Sequence, residues 1–328
     1  MNILPIDLIQ YCIFDKLDFV TQIRFRQICK RLNRIEIHNL CYNIDRKYLD
    51  RLSDEILINY PKIKYLRICE NPKIENINHL SNLQILYAST NKSGINNNSI
   101  KNLNLILLCA RHNPKITNVN HMTNLQILNA SGDSGISDNS IKDLNLIELD
   151  VSGNPKITNI NHMTNLRILN ASGYFCGIDD DGIKDLNLIK LNAWNNPKIT
   201  NVNHMTNLQI LDASFDCGIN DNGIKNLNLI KLYASDNPKI TNVNHMTNLQ
   251  ILYASCGYLN CGIDNNGIKD LNLIKLYASD NSKIINVNHM TNLQILDASD
   301  NSGIDDNGIR DLNLIKLNAW NNPKITNV

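Results

Sequence analysis

Apolar positions along most of the chain repeat at a fixed spacing. The tetrapeptide Asn-Pro-Lys-Ile occurs six times, and Asn281-Ser-Lys-Ile stands at the same place in a seventh copy. Each copy holds two half-units with the pattern LxxLxA, as in Leu125 to Ala130. The pattern gives thirteen half-units of about 21 residues. Aligned on the position at which the pattern ends, the half-units fall at residues 71, 91, 113, 133, 154, 174, 196, 216, 237, 257, 281, 301 and 322. Such repetition predicts a stack of similar coils.

The LxxLxA pattern predicts a short strand. Alternate strand residues point to one side, so Leu149 and Val151 are expected to point inward. A small alanine at the last inward position indicates a tightly wound coil, and the asparagine after it is expected to turn the chain. A period of about 21 residues with leucines spaced in this way resembles the leucine-rich repeat. The resemblance implies an α/β solenoid whose short strands line a concave face, with 3₁₀ or short helical segments on the convex side.

The two half-units differ on the side away from the strand. A half-unit that begins at an asparagine such as Asn154 ends 20 residues later, which is too short for a full helix and predicts 3₁₀ or extended structure. The other half-unit has an Asp or Asn before Ile-Lys, as in Gly262 to Lys269, which predicts the N-cap of one helical turn. Its length varies from 21 to 24 residues, and the longest copy predicts a protruding loop around Cys256 to Cys261.

The first 45 residues do not fit the repeat. Apolar residues from Ile6 to Leu17 recur at helical spacing, and a second helical stripe from Phe25 to Leu32 lies opposite a basic face. Leu4-Pro5 opens the first helix, where the fixed φ of proline suits the first turn. These patterns predict a helical module over residues 1–45, a linker or capping helix over residues 46–62 and the repeats over residues 63–328.

The helical module resembles an F-box. The resemblance is carried by the motifs Leu4-Pro5, Asp7-Leu8, Leu17-Asp18 and Ile28-Cys29-Lys30-Arg31-Leu32-Asn33, although the tryptophan common near the end of the family pattern is replaced by Leu32. F-boxes precede leucine-rich repeats in a known family, and the Asn- and Ile-rich repeats are similar to such proteins of giant DNA viruses and social amoebae. The resemblance implies docking on the Skp-type adaptor of a cullin–RING ubiquitin ligase, through exposed apolar residues. Those residues are Leu4, Pro5, Leu8, Ile13, Leu17 and Ile23.

Two functions are consistent with this arrangement. In the first, the chain is the substrate-recognition subunit of an SCF-type ubiquitin ligase and binds a target protein on the concave face of the repeats. In the second, it is a leucine-rich-repeat interaction scaffold unconnected to ubiquitin, whose N-terminal helices only cover the exposed end of the stack. The expected location is the cytoplasm or nucleus, or the host cytosol for a viral protein.

The outward positions of the predicted strands contain the candidate target-binding residues. Three tyrosines fall at the same outward position of successive half-units, and lysines stand two residues before two of them. Tyrosine beside a cation is typical of interaction hot spots and suits an acidic or phosphorylated segment, although decay of the repeat also produces neighbouring tyrosines. The candidate residues are Tyr233, Tyr253, Tyr277, Lys231, Lys275, Trp194 and Trp320.

Composition and charge limit the kinds of partner and cellular location that the chain is expected to have. Lys and Arg number 32 against 31 Asp and Glu, and the net charge of +1 argues against nucleic acid or anionic membrane as the main partner. The longest apolar run, Leu105 to Ala110, is far shorter than the roughly 20 residues of a membrane helix. Nine scattered cysteines without a secretory signal predict reduced thiols. Asn and Ile together make up 104 residues of 328, which the repeat explains.

No residue pattern predicts an enzyme, a metal site or a cofactor. Six histidines recur once per long unit, at positions 79, 121, 162, 204, 245 and 289. Neighbouring histidines would lie two coils apart, about 9–10 Å, which is too far for shared metal ligation. We therefore expect these histidines to be structural residues of the repeat.

Overall fold

In the computed structural model, which describes residues 21, 22, 24, 39–40, 52–257 and 260–326, the repeat pattern forms three-residue parallel strands. The chain divides into two compact units, Met1–Asp150 and Val151–Val328. The described residues of each unit form a solenoid of the leucine-rich-repeat type, in which every strand pairs in parallel with the next one along the chain. The predicted solenoid of short parallel strands is thus confirmed.

The first unit contains six strands and three short helices among its described residues. They are β1 Asn39–Leu40, α1 Asp54–Leu57, β2 Tyr65–Arg67, β3 Ile85–Tyr87, α2 Asn97–Ile100, β4 Leu107–Cys109, β5 Ile127–Asn129, α3 Asp138–Ile141 and β6 Glu148–Asp150. Helix α1 lies within residues 52–62, the described part of the predicted capping segment, and it buries Leu57. The expected F-box-like module lies outside the described residues, except that Thr21, Gln22 and Arg24 are helical.

The second unit contains eight strands and four short helices among its described residues. They are β7 Ile168–Asn170, α4 Asp180–Ile183, β8 Lys190–Asn192, β9 Ile210–Asp212, α5 Asp221–Ile224, β10 Lys231–Tyr233, β11 Ile251–Tyr253, α6 Asn265–Ile268, β12 Lys275–Tyr277, β13 Ile295–Asp297, α7 Asp306–Ile309 and β14 Lys316–Asn318. Most strands show an alternating burial pattern, with the middle residue buried and its neighbours half-buried. The strand face of each unit therefore presents two outward residues per strand, as the period of two requires.

The core of each coil is aliphatic and narrow. Leu232, Leu252 and Leu276, the middle residues of β10 to β12, are fully buried, and the alanines that follow each strand are buried as well. The 20-residue half-units contain only turns and extended backbone outside their strands. The other half-units each form one helical turn. In α4, the Asp179 side chain accepts a hydrogen bond from the Gly182 N–H at 2.9 Å, so the predicted N-cap is present.

Residue choice at the third position of these helical turns follows from the close approach of the previous coil. A Cβ added at Gly182 would collide with the carbonyl oxygen of Thr158, which explains glycine in four helices of the second unit. The first unit uses serine at this position instead. The Ser140 hydroxyl donates to the Thr117 carbonyl at 2.7 Å, so the side chain makes a hydrogen bond with the same backbone oxygen.

Asparagine side chains join successive coils at the buried turn. Asn196 is fully buried, and its Nδ2 donates to the carbonyls of Ala171 at 2.8 Å and Ile178 at 3.1 Å. Its Oδ1 accepts from the Lys198 N–H at 3.0 Å, and the Lys198 Nζ donates to the Cys176 carbonyl at 2.8 Å. The Asn-Pro-Lys-Ile motif is therefore a structural connection. Equivalent buried asparagines are Asn71, Asn113, Asn154, Asn237, Asn281 and Asn322.

The buried turn residues of the longer half-units lie one, two or four residues after the predicted turn positions. The sequence alignment placed the turns at residues such as Asn91 and Asp133, but both are exposed. The buried turn residue is a small side chain two or one positions later, such as Ser93 or Ser134. In the second unit the same place is taken mainly by buried cysteines. These are Cys176, Cys217 and Cys261.

The expectation of reduced thiols is wrong for one pair of cysteines. Cys256 and Cys261 form a disulfide, with their Cα atoms 5.5 Å apart. This bond closes the short segment that the insertion at this coil adds, of which residues 258 and 259 lie outside the described residues. Cys176 and Cys217 are buried and are not disulfide-bonded, and burial raises the pKa of the Cys217 thiol to about 12, which makes it unreactive.

Candidate functional site

The three candidate tyrosines form a continuous stack on the strand face of the second unit. The register of β10, β11 and β12 places Tyr233, Tyr253 and Tyr277 directly beside one another. The ring centroids of Tyr233 and Tyr253 are 4.3 Å apart with an interplanar angle of 17°. Those of Tyr253 and Tyr277 are 4.2 Å apart at 4°. Because adjacent rings are stacked, both faces of the Tyr253 ring are covered within the stack.

Lysine side chains lie beside this tyrosine stack. The Lys231 Nζ is 4.5 Å from the ring centroid of Tyr233 and 5.2 Å from that of Tyr253. This geometry is a cation–π contact, which holds the ammonium group over the rings. Lys231 and Lys275 are both half-buried, whereas the lysines at the same outward position of β8 and β14, Lys190 and Lys316, are exposed. The tyrosine stack thus lies beside Lys231, which contacts its rings, while Lys275 stands two residues before Tyr277 on β12.

A carboxylate stands at each end of the stack in the strand register. Asp212 pairs with Tyr233, and Asp297 pairs with Tyr277. The Asp297 Oδ1 accepts from the Ser299 hydroxyl at 2.6 Å and from the Asn318 Nδ2 at 3.1 Å. Burial raises the pKa of Asp212, against the lowering effect of its hydrogen bonds with Ser214 and of the charge on Lys190. The two carboxylates mark the limits of the aromatic surface along the sheet.

The Tyr253 hydroxyl at the centre of the stack stays protonated over a wide pH range. The pKa of Tyr253 is raised to about 12, first by burial and then by the hydrogen bond with Tyr277 and the proximity of both neighbouring tyrosines. A neutral phenol is both a donor and an acceptor. At neutral pH the site therefore offers a row of hydroxyl groups next to lysine ammonium groups, a combination suited to carbonyl and carboxylate oxygens.

The two candidate tryptophans lie apart from the tyrosine stack. Trp194 follows β8, and its ring makes an edge contact with Phe215 at a centroid distance of 5.2 Å. Trp320 follows β14 and is 71% exposed. The strand register separates Tyr233 from the Trp194 coil by one full strand, β9. The structure therefore brings together the five tyrosine and lysine residues, and it leaves Trp194 and Trp320 at separate positions on either side.

Sequence reasoning missed two exposed aromatic residues in the second unit. Tyr174 and Phe175 are 60% and 73% exposed, and their rings make an edge contact at 5.5 Å. They lie in the coil before Trp194, because the Gly173 N–H donates to the Trp194 carbonyl. The signal in the sequence was an aromatic pair where other copies have polar residues, in a chain with few aromatics. These residues extend the apolar surface around Trp194.

The first unit has a smaller aromatic pair on its strand face. The rings of Tyr65 and Tyr87 lie 5.6 Å apart on β2 and β3, and the Arg67 guanidinium is 5.9 Å from the Tyr87 centroid. Sequence reasoning did not single out this pair.

The repeated histidines are structural, as the sequence predicts. The Nε2 atoms of His121, His204 and His245 each lie 3.1 Å from the carbonyl oxygen of the isoleucine that ends the helical turn of the previous coil. Each histidine therefore forms a hydrogen bond with a carbonyl group at the end of a short helix, where the helix itself supplies no partner. The part of the chain that the structure describes holds no group of three potential metal ligands.

The predicted adaptor-binding residues cannot be placed beside these features. Leu4, Pro5, Leu8, Ile13, Leu17 and Ile23 lie outside the described residues. Among the helices of the described ranges, none combines the length and apolar character needed to cross a lipid bilayer.

Comparison with known proteins identifies solved leucine-rich-repeat structures. No protein-family model matches the chain, and no curated protein sequence matches it. The TLR13 chain of a TLR13–ssRNA13 complex is 18% identical with a TM-score of 0.44, over 87% of this chain and 51% of that one. The leucine-rich-repeat protein LIC12759 of Leptospira interrogans is 16% identical with a TM-score of 0.43, over 88% and 75% of the two chains.

A third similar structure is the functional domain of InlJ from Listeria monocytogenes, which includes a cysteine ladder. It is 18% identical with a TM-score of 0.32, over 80% of this chain and 58% of that one. The chain thus spans about half the length of the TLR13 chain. At these identities the likeness concerns the fold.

Proposed function

We propose that this chain is a non-enzymatic interaction scaffold that binds a segment of a target protein on the strand face of residues 151–328. The observation that carries the proposal is the stack of Tyr233, Tyr253 and Tyr277 beside Lys231. Tyrosine presents a large contact area at a small cost in side-chain entropy, and it is enriched in binding hot spots. Here the stacking and the cation–π contact order the side chains before a partner arrives.

Substitution of the stack tests this proposal. The Tyr253→Ala and Tyr277→Ala variants should lose capture of the proteins that the immobilised full-length chain retains from a lysate, measured by quantitative mass spectrometry. Tyr174→Ala is the matched control, because Tyr174 is an exposed tyrosine outside the stack. Circular dichroism should show that all three variants keep the fold. Equal capture by the wild-type chain and both stack variants would contradict the proposal and direct attention to the Trp194 or Trp320 coils.

We further propose that the scaffold is the substrate-recognition subunit of a cullin–RING ubiquitin ligase, with residues 1–45 docking a Skp-type adaptor. The support is the order of two sequence features, F-box-like motifs followed by leucine-rich repeats. The adaptor-binding residues would be Leu4, Pro5, Leu8, Ile13, Leu17 and Ile23. In this proposal the chain acts in the cytoplasm or nucleus, or in the host cytosol if it is viral. The alternative is a scaffold without a ubiquitin connection, whose N-terminal helices cap the solenoid.

Capture of a purified Skp-type adaptor distinguishes these two functions. The full-length chain should retain the adaptor, and a chain of residues 46–328 should not. The Tyr253→Ala variant should retain it at the wild-type level, since the strand face is not the adaptor site. Absent capture by the full-length chain, or equal capture by both chains, favours the capping function.

A further inference from the structure

We infer that the strand face between Asp212 and Asp297 binds an acidic polyproline II segment in which two carboxylate side chains stand three residues apart. This inference rests on the proposed function and specifies the ligand of the same site. It follows from the number of lysines between the two aspartates, from the distance between those lysines along the sheet, and from the aromatic surface beside them.

The number of cations sets the number of acidic groups. In the strand register, β10, β11 and β12 lie between the strands that carry Asp212 and Asp297. Their first outward residues are Lys231, Ile251 and Lys275. A segment that crosses this surface therefore meets two ammonium groups with an isoleucine between them. The carboxylates at the two ends repel further acidic residues, so two is also the upper limit.

The spacing of the cations sets the period of the segment. The backbone positions of Lys231 and Lys275 are separated by two strand intervals, about 9.6 Å at the usual spacing of parallel strands. The tyrosines on the same strands are slightly closer, with successive centroids 4.3 Å and 4.2 Å apart. A polyproline II helix rises about 3.1 Å per residue with three residues per turn, so residues i and i+3 lie on one side about 9.3 Å apart. An extended strand repeats on one side only every 6.8 Å or so and does not match.

The tyrosine stack suits the remaining residues of such a segment. Polyproline II segments bind aromatic surfaces, and their preformed helix loses little entropy on binding. Their backbone carbonyls have no internal hydrogen-bond partners. The half-buried rings of Tyr233, Tyr253 and Tyr277 provide apolar contact for proline rings, while their phenol hydroxyl groups donate to the free carbonyls. The high pKa of Tyr253 keeps this donor protonated.

The two aspartates also limit the length of the bound segment. From β9 to β13 there are four strand intervals, or roughly 19 Å, which six residues of polyproline II helix span. Lys190 and Lys316 lie beyond these limits and are exposed. They are therefore available as controls for general attraction between positive side chains and an acidic peptide.

Two peptides of identical composition test the period directly. The first, Pro-Glu-Pro-Pro-Glu-Pro-Pro, has glutamates three residues apart, and the second, Pro-Glu-Pro-Glu-Pro-Pro-Pro, has them two residues apart. A third peptide replaces every proline of the first with glycine. Binding of the labelled peptides to the full-length chain is measured by fluorescence anisotropy. The first peptide should bind about tenfold more tightly than either of the others.

Lysine variants test whether the peptide binds at the proposed site. Lys231→Ala and Lys275→Ala should each weaken the first peptide about tenfold, whereas Lys190→Ala and Lys316→Ala should change its affinity less than about twofold. Equal affinity for the first two peptides, or equal effects of all four lysine variants, overturns the inference. If the first peptide fails while Tyr253→Ala still abolishes target capture, the ligand class is wrong and the proposed function stands. If the first peptide fails and Tyr253→Ala has no effect on target capture, the inference and the proposed function are both wrong.

Discussion

At the residue scale, asparagine side chains connect neighbouring coils in addition to the backbone hydrogen bonds between strands. Besides the buried turn, exposed asparagines form a second row, in which the Asn203 Nδ2 donates to the Asn222 carbonyl at 2.6 Å and its Oδ1 accepts from the Asn226 N–H at 2.9 Å. A primary amide is both donor and acceptor, so it satisfies the N–H and C=O groups that short turns leave unpaired. These rows explain the abundance of asparagine better than the turn position alone.

Removal of one buried amide should destabilise the chain strongly. Asn196→Ala removes three hydrogen bonds and leaves the Ala171 and Ile178 carbonyls and the Lys198 N–H without this partner. We expect the free energy of unfolding to fall by roughly 3 kcal/mol, measured by urea denaturation. Asn222→Ala is the control, because this side chain is exposed on α5 and its loss should change stability by less than about 0.5 kcal/mol. Similar effects of both substitutions would refute the structural role of the buried amide.

The pKa of Tyr253 predicts a loss of stability at alkaline pH. The folded pKa of about 12 exceeds the ordinary value of 10.0, so the fold favours the neutral phenol. The stability that results is fully present below pH 10 and is lost as the pH rises towards 12. In urea denaturation, the wild-type chain should therefore lose more stability between these pH values than Tyr253→Phe, which has no ionisable hydroxyl. Parallel pH profiles for the two chains would show that the stack does not hold Tyr253 neutral.

At the element scale, the hydrophobic pattern determines the strands, while the turns depend on contacts with the next coil. The LxxLxA pattern predicted the strands because burial of alternate residues is a local property of the sequence. The same pattern misplaced the turn of the longer half-unit. There Ser93 occupies the buried position in place of Asn91, because the longer connection adds residues before the chain re-enters the core. Sequence spacing alone does not show which small residue becomes buried.

The same distinction applies to the candidate site. Tyr233, Tyr253 and Tyr277 were predictable as neighbours because they share one outward position of the repeat, and the structure places their rings in a stack. The disulfide of Cys256 was not predictable, since it links a residue near the strand to the buried turn across an insertion found in one copy. Tyr174 and Phe175 were missed for a similar reason, because they lie in a connection of variable length.

The one copy without proline after its buried asparagine offers a stabilising substitution. Ser282 follows Asn281, and the Lys283 N–H donates to the Asn281 Oδ1 at 3.0 Å, as the Lys239 N–H does to Asn237 at 2.9 Å in a copy that has proline. The backbone therefore has the conformation that accepts proline elsewhere. Ser282→Pro should raise the free energy of unfolding by about 0.4–1 kcal/mol by restricting the unfolded chain. Ser282→Ala is the control and should have little effect; a destabilised proline variant would show that this turn differs from the others.

At the scale of the whole molecule, hydrogen bonds and apolar burial hold the described coils together, and ion pairs have little part in the fold. The net charge is +1, and ion pairs such as Lys184–Asp181 at 3.9 Å and Arg310–Asp311 at 3.5 Å join exposed side chains. Exposed pairs contribute little to stability. Lysines with a structural role, such as Lys239, donate to backbone carbonyls instead. The charged side chains on the strand face can therefore bind a partner without reducing the stability of the fold.

An increase in salt concentration should consequently weaken peptide binding and leave the stability of the fold nearly unchanged. Raising NaCl from about 0.1 M to about 1 M shortens the Debye length from about 10 Å to about 3 Å, which screens exposed charges. The free energy of unfolding should change by less than about 1 kcal/mol, because exposed ion pairs contribute little of it. Over the same range the affinity for the peptide with glutamates three residues apart should fall several-fold, since it depends on Lys231 and Lys275. An affinity that does not change with salt would mean that proline contacts with the tyrosines, and not the lysines, determine binding. A large loss of stability would show instead that ion pairs hold the coils together.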